Sequence, residues 1–145
     1  RLRKVAEGHY DAIVLAMAGL RRLGAGATHV VPFEIEQVVP AVGQGALAVE
    51  TRADDEWLIG LLRAAVNDPE SELCVTCERA ALRAMRAGCS APLGVHARFA
   101  AGTMIVEGCY VPEHGARLRA RVERRVASLL EAEELGAELA SRLTT

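Results

Sequence analysis

No apolar run in this sequence is long enough to span a bilayer, which takes about 20 residues as a helix. Neither sign of charge dominates: 17 Lys and Arg against 19 Asp and Glu leave a net charge of −2. That removes the basic surplus on which nucleic-acid binding rests, although local anion sites built from single arginines stay open. Lysine occurs once, at Lys4. No second Cys-x-x-Cys and no histidine pair accompanies Cys74 and Cys77, and His9, His29, His96 and His114 are dispersed singly. A structural zinc site needs four ligands at close spacing, so no metal site is expected. No secretory leader is visible, and the four cysteines are better read as reduced thiols in a cytoplasm than as two disulfides. No internal repeat or low-complexity tail is present. The first residue is Arg1 rather than Met, which suggests a piece of a longer protein.

What is present suffices for a folded core. The chain has 145 residues, 51% of them apolar and 25% charged, the balance of a globular protein of one domain or two small units. Residues 11–16 form a short apolar run that reads as a buried strand. Met17–Leu23 reads as a short helix ended by Gly24. Residues 24–45 are rich in glycine and proline and read as irregular, with a short strand at Thr28–Val31 and a hinge or crossover at Pro40–Gly45. Residues 45–51 return to strand character. Asp54 suits the N-cap of a helix over 55–66 with Trp57, Leu58, Leu61, Leu62 and Ala65 on its apolar face. Asp68 and Pro69 suit the N-cap and first position of another helix, which runs to about Arg86. Beyond it, Leu93–Phe99, Thr103–Val111 and Ala116–Val122 read as an antiparallel meander. Ser128 and Glu131 make a capping box for a last helix whose inner face carries Leu129, Leu130, Leu139 and Leu143. The chain thus divides near residue 68. The first part reads as incomplete α/β pieces, of the periplasmic-binding-protein kind, and the second as a small α+β domain.

Four features could carry chemistry, and each has a plainer reading. Cys74 and Cys77 could be a redox or metal pair, but cysteines three apart on a helix share a face, and core packing is the stronger reading. Cys89 lies in Gly88-Cys89-Ser90-Ala91-Pro92, between a helix and a strand and among small residues. Its thiol could be a nucleophile or attachment point, or an ordinary loop cysteine, and physics alone favours neither. Gly43-Gln44-Gly45 could present the Gln44 amide to a ligand, or be a tight turn with an incidental polar residue. Arg21 and Arg22 could meet carboxylates, or complement a helix end.

Three stretches decide between these readings. They are Tyr10-Asp11-Ala12-Ile13-Val14-Leu15-Ala16-Met17-Ala18-Gly19-Leu20-Arg21-Arg22-Leu23-Gly24, then Pro40-Ala41-Val42-Gly43-Gln44-Gly45-Ala46-Leu47-Ala48-Val49-Glu50 with Arg52, and Glu78-Arg79-Ala80 followed by Gly88-Cys89-Ser90-Ala91-Pro92-Leu93-Gly94. In order and spacing they resemble the C-terminal half of the porphobilinogen deaminase (hydroxymethylbilane synthase) family, over nearly all of the chain.

The resemblance implies a transferase of tetrapyrrole and haem biosynthesis. It condenses four porphobilinogen molecules, releasing ammonia at each addition, to give hydroxymethylbilane. It implies a dipyrromethane cofactor held covalently by a thioether to Cys89, with Arg22 lining a cleft for the substrate's acidic side chains, Leu15 and Ala16 as backbone neighbours of the growing pyrrole chain, and Gln44 as the cleft glutamine near the interdomain crossing. Arg21 stands where lysine is common, and no role is carried over to it. Ala87 stands where the family often has glycine. The implied parent fold has three domains, with residues 1–39 the latter part of domain two, 40–67 a return segment through domain one, and 68–145 domain three. The catalytic aspartate is expected in an N-terminal half absent from these residues, so that half is the implied partner and the chain alone is expected to be inactive. The implied parent is a cytoplasmic monomer that binds neither nucleic acid nor membrane. The alternative is a non-catalytic assembly piece that needs the N-terminal half.

Overall fold

The computed structural model describes residues 1–24, 29–86, 88 and 91–144. In chain order its elements are α1 (Leu2–Ala6), α2 (Met17–Leu23), α3 (Glu56–Val66), α4 (Pro69–Ala84), β1 (Leu93–Ala100), β2 (Thr103–Tyr110), β3 (Leu118–Arg124) and α5 (Leu129–Leu143). The three strands form one antiparallel sheet in the order β1-β2-β3. α4 and α5 pack on each other and on that sheet. This is an α+β unit, as the meander pattern of the sequence implied.

Its core follows from two periodicities. Val95 and Ala97 of β1, Met104 and Val106 of β2 and Val122 of β3 alternate onto the helix-facing side and are buried. Cys77, Ala80 and Ala81 of α4 and Ala132, Leu135, Leu139, Ala140 and Leu143 of α5 meet them. The α5 face differs from expectation at its first turn: Leu129 and Leu130 are 45% and 66% exposed. The face set by Leu139 and Leu143 continues backward through Leu135, Gly136 and Ala132. Leu130 falls off that stripe at 100° per residue, while Leu129 lies on it but at the first residue of the helix, beyond the buried stretch that begins at Ala132.

Caps fix the helix starts. The Asp68 carboxylate accepts from Ser71 N–H, with Pro69 at the first helical position. Ser128 and Glu131 form the expected capping box. Gly24 ends α2 in the left-handed region, at φ 57°. For α3 the cap is Asp55, accepting from Leu58 N–H, rather than the expected Asp54. An aspartate one residue nearer the helix reaches its third amide, and Asp54 is left in the preceding turn.

The first part of the chain departs further. Residues 11–16, 29–31 and 45–51 carry no strand pairing, and Thr28 lies outside the described residues. A strand is defined by a partner's ladder, and among the described residues no strand lies alongside. Val14, Leu47 and Val49 are consequently 73%, 78% and 63% exposed. α3 is amphipathic as expected, yet Trp57 on its apolar side is 75% exposed. α1 was not signalled by the sequence pattern. Among the described residues, no helix is long and apolar enough to cross a membrane.

Candidate functional site

A strap running from Ile35 to Gly45 crosses the sheet unit and is tied down at both ends. At one end the Arg119 guanidinium of β3 donates to the carbonyls of Ile35 and Glu36. At the other, Val95 N–H donates to Pro40 C=O at 3.0 Å. β1 is an edge strand, so alternate N–H groups point away from β2 and seek a partner. Val95 finds one on the strap, and Ala97 finds one in Glu78, whose Oε1 accepts at 2.8 Å. Gly94 permits the approach: a Cβ there would collide with Val39 C=O and come within 3.0 Å of Pro40 C=O.

Glu78 joins these pieces. It projects from α4 and is 5% exposed. Its Oε2 accepts from Gly43 N–H at 2.7 Å while Oε1 holds Ala97. Burial raises its carboxyl pKa above the usual value, and the two N–H donors oppose that shift. His96 Nδ1 stands 3.7 Å from Oε1. Burial, then Arg98, lower the imidazole pKa, against the pull of Glu107.

The strap in turn meets α2. Arg22 Nη2 donates to Gly45 C=O at 3.3 Å, and its guanidinium is otherwise open to solvent with no ion-pair partner among the described residues. Gly43 and Gly45 sit at φ 69° and 86°, the left-handed geometry that lets the backbone turn on either side of Gln44. Gln44 itself is exposed. Arg22 and Gln44 are therefore brought to the same loop. Leu15 is half-buried against a cleft of about 600 Å3 lined also by Leu2, Val5, Ile13, Leu20 and Phe33. Ala16, Arg22 and Gln44 do not line that cleft, whose mostly apolar wall also includes Arg3, Asp11 and His29. Ala16 is the N-cap of α2, its carbonyl accepting from Gly19 and Leu20 N–H.

The cysteines separate clearly. Cys77 is fully buried, and burial, then Glu78, push its thiol up to about 12. Burial, then Glu78, push Cys74 up to about 11. Both pack in or against the core and are poor nucleophiles at neutral pH. Cys109 is half-buried in β2. Cys89 lies outside the described residues. The segment that bears it leaves α4 through Met85 and Arg86, the latter at φ 51°, and enters β1 at Leu93.

Glu78 is the residue that sequence reasoning missed. The Glu78-Arg79-Ala80 motif by itself gives it no role. One signal was available, since it lies beside Cys77 and before Ala80 and Ala81 on the small apolar face of its helix, where a charged residue requires partners.

Two family models match this sequence. Residues 1–60 match porphobilinogen deaminase, dipyromethane cofactor binding domain, and residues 72–145 match porphobilinogen deaminase, C-terminal domain. Similar curated proteins include porphobilinogen deaminases of Thiobacillus denitrificans, 39% identical over 99% of this chain and 46% of the relative, and of Sorangium cellulosum, 41% identical over 99% and 48%. That of Rubrobacter xylanophilus is 44% identical over 99% of this chain and 45% of its own length. The chain spans about half the length of the curated relatives it matches.

Proposed function

This chain belongs to the porphobilinogen deaminase family, and on that premise we propose that it is the C-terminal half of a hydroxymethylbilane synthase. That enzyme condenses four porphobilinogen molecules, with loss of ammonia at each step, in tetrapyrrole biosynthesis. The observation that carries the reading is the meeting of its three motif stretches. Arg22 of the first bonds Gly45 of the second, and Gly43 of the second bonds Glu78 of the third.

The residues fit an anionic pyrrole ligand. Arg22 offers an open guanidinium, whose planar fork suits acetate and propionate groups. Gln44 stands exposed on the adjoining turn. Two of the other three thiols are buried or raised beyond use, which supports Cys89 as the point of attachment. When bound, the dipyrromethane supplies the covalent primer on which chain growth depends. In this reading Cys89 tethers it, Arg22 neutralises and registers a carboxylate, Gln44 hydrogen-bonds a polar edge, and the backbone at Leu15 and Ala16 borders the growing chain. Holding the acidic side chains in register converts an encounter in solution into an oriented one. The carboxylate expected to act on the pyrrole nitrogen belongs to the N-terminal half.

That half is the proposed partner. Val14, Leu23, Val31, Leu47 and Trp57 are each more than 70% exposed, and unpaired extended chain seeks strands to join. The parent is proposed as a three-domain cytoplasmic monomer, with residues 1–39 in domain two, 40–67 returning through domain one and 68–145 forming domain three. A non-catalytic assembly role is the second reading, favoured by the same exposed surface.

The test is intact mass spectrometry of the protein purified from cells that make porphobilinogen. A single dipyrromethane adduct is expected, mapping to Cys89 and absent in Cys89→Ser. An adduct on Cys109, or an unmodified chain in otherwise active enzyme, would overturn the assignment.

A further inference from the structure

Glu78 performs a task that core stability alone does not require. A carboxylate removed from water is costly unless fully paired, and Glu78 is 5% exposed inside the small unit. Its bonds complete neither α4 nor the sheet. Oε1 holds Ala97 N–H at the free edge of β1, and Oε2 holds Gly43 N–H on the strap, 35 residues away in sequence. Gly43 is two residues before Gly45, whose carbonyl receives Arg22. Gln44 lies between them. One buried carboxylate thus fixes the turn that carries Gln44 and seats Arg22.

We propose that Glu78 is the positioning residue of the cleft: its two oxygens fix the strap on β1, and the strap sets where Arg22 meets a carboxylate of the pyrrole substrate. The inference rests on the role given to Arg22 above. Glu78 touches no substrate and acts through the loop. The chemistry explains why the residue is a carboxylate. Both of its oxygens accept, whereas the isosteric glutamine keeps one acceptor and turns a donor toward the other N–H. Aspartate lacks the length to hold both amides from the same backbone position. The opposite anchor, Arg119 on Ile35 and Glu36, holds the far end of the strap and leaves Glu78 in control of the end near α2.

The experiment uses the complete enzyme carrying this chain, with steady-state kinetics on porphobilinogen and a double-mutant cycle. Losing one charge-assisted bond at Gly43 should raise KM about tenfold in Glu78→Gln, with kcat changing less. In an Arg22→Leu background the same change should raise KM less than it does in the wild-type enzyme, because one of the two groups set by the strap is gone. A second variant approaches the strap from its other side. Gly94→Ala displaces Val39 and Pro40 while leaving Glu78 intact, and the same rise in KM is expected. Nuclear magnetic resonance supplies a readout apart from turnover: the Gly43 and Ala97 amide protons should lie downfield, and at least one should move upfield and exchange faster in Glu78→Gln. Unchanged amides, additive effects of Glu78→Gln and Arg22→Leu, or a lowered melting temperature with unaltered KM would each overturn the proposal. Arg22→Leu with normal KM beside shifted Gly43 amides would instead locate the failure in the role given to Arg22.

Discussion

Glu78 and His96 stand 3.7 Å apart and respond to acid in opposite directions. Burial, then Arg98, hold the folded imidazole of His96 below its ordinary 6.5 despite Glu107. As pH falls below 6.5 the unfolded chain binds this proton first. Stability from His96 is therefore complete above 6.5 and is lost as pH falls through the folded value. Burial holds Glu78 above its ordinary 4.5, although Gly43 and Ala97 N–H oppose the shift. Here the folded state binds the proton first, so stability is gained as pH falls from the folded value toward 4.5. His96→Gln should flatten the acid loss of stability, and Glu78→Gln should steepen it, on top of its lost hydrogen bond. Urea midpoints at several pH values between about 7 and 4.5 measure both. A His96→Gln curve parallel to the wild type would show that its charge is not linked to folding. None of this coupling was legible in the sequence. His96 reads as one of four isolated histidines, because Glu78 reaches it from another element, α4.

The contact of α4 with α5 depends on Gly136. A Cβ there would collide with Cys77 C=O and lie 2.9 Å from Ala80 Cβ and 3.0 Å from Ala81 N. Two of those atoms belong to helix backbone, which cannot rotate aside, so the helices must separate. Gly136→Ala should destabilise the unit by about 2–3 kcal/mol, the usual cost of overpacking, despite alanine's better helix propensity. Gly60 in α3 is the contrast, since nothing lies within 4 Å of its added Cβ. Gly60→Ala should strengthen its helix by about 1 kcal/mol. Urea unfolding reads the first and far-ultraviolet helicity the second; an unchanged midpoint for Gly136→Ala would mean that the two helices are not in close contact at Gly136. Elements with their own signals were legible at this scale. Asp68 with Pro69, and Ser128 with Glu131, marked helix starts through atoms two or three residues apart. On the inner face of α5 leucine alone is not the sign of burial: Leu129 and Leu130 are exposed, while the small residues Ala132, Gly136 and Ala140 are buried.

Over the whole molecule, packing is uneven, and the unevenness limits what the sequence could reveal. The pattern of residues 93–124 predicted a meander because each strand has its partner a turn away. Residues 11–16 and 45–51 carry the same apolar signature, but among the described residues no strand lies beside them to form a ladder. The motifs made Arg22 and Gln44 legible as candidates, while their meeting at Gly45 depended on the strap. Local stability should follow this division. In the isolated chain, amides of α4, α5 and the sheet should exchange slowly and together, because these elements share one core. Amides of α1, α2 and α3, which bury no residue, should exchange nearly freely. Val95 and Ala97 report on the strap: each points off an edge strand, and each should be protected only while Pro40 and Glu78 hold it. Adding the N-terminal half of a family relative should slow exchange throughout residues 11–16 and 45–66 and leave α5 unchanged. Hydrogen exchange with and without that half measures it. Strong protection of α3 in the isolated chain would show that residues 1–66 are complete without a partner.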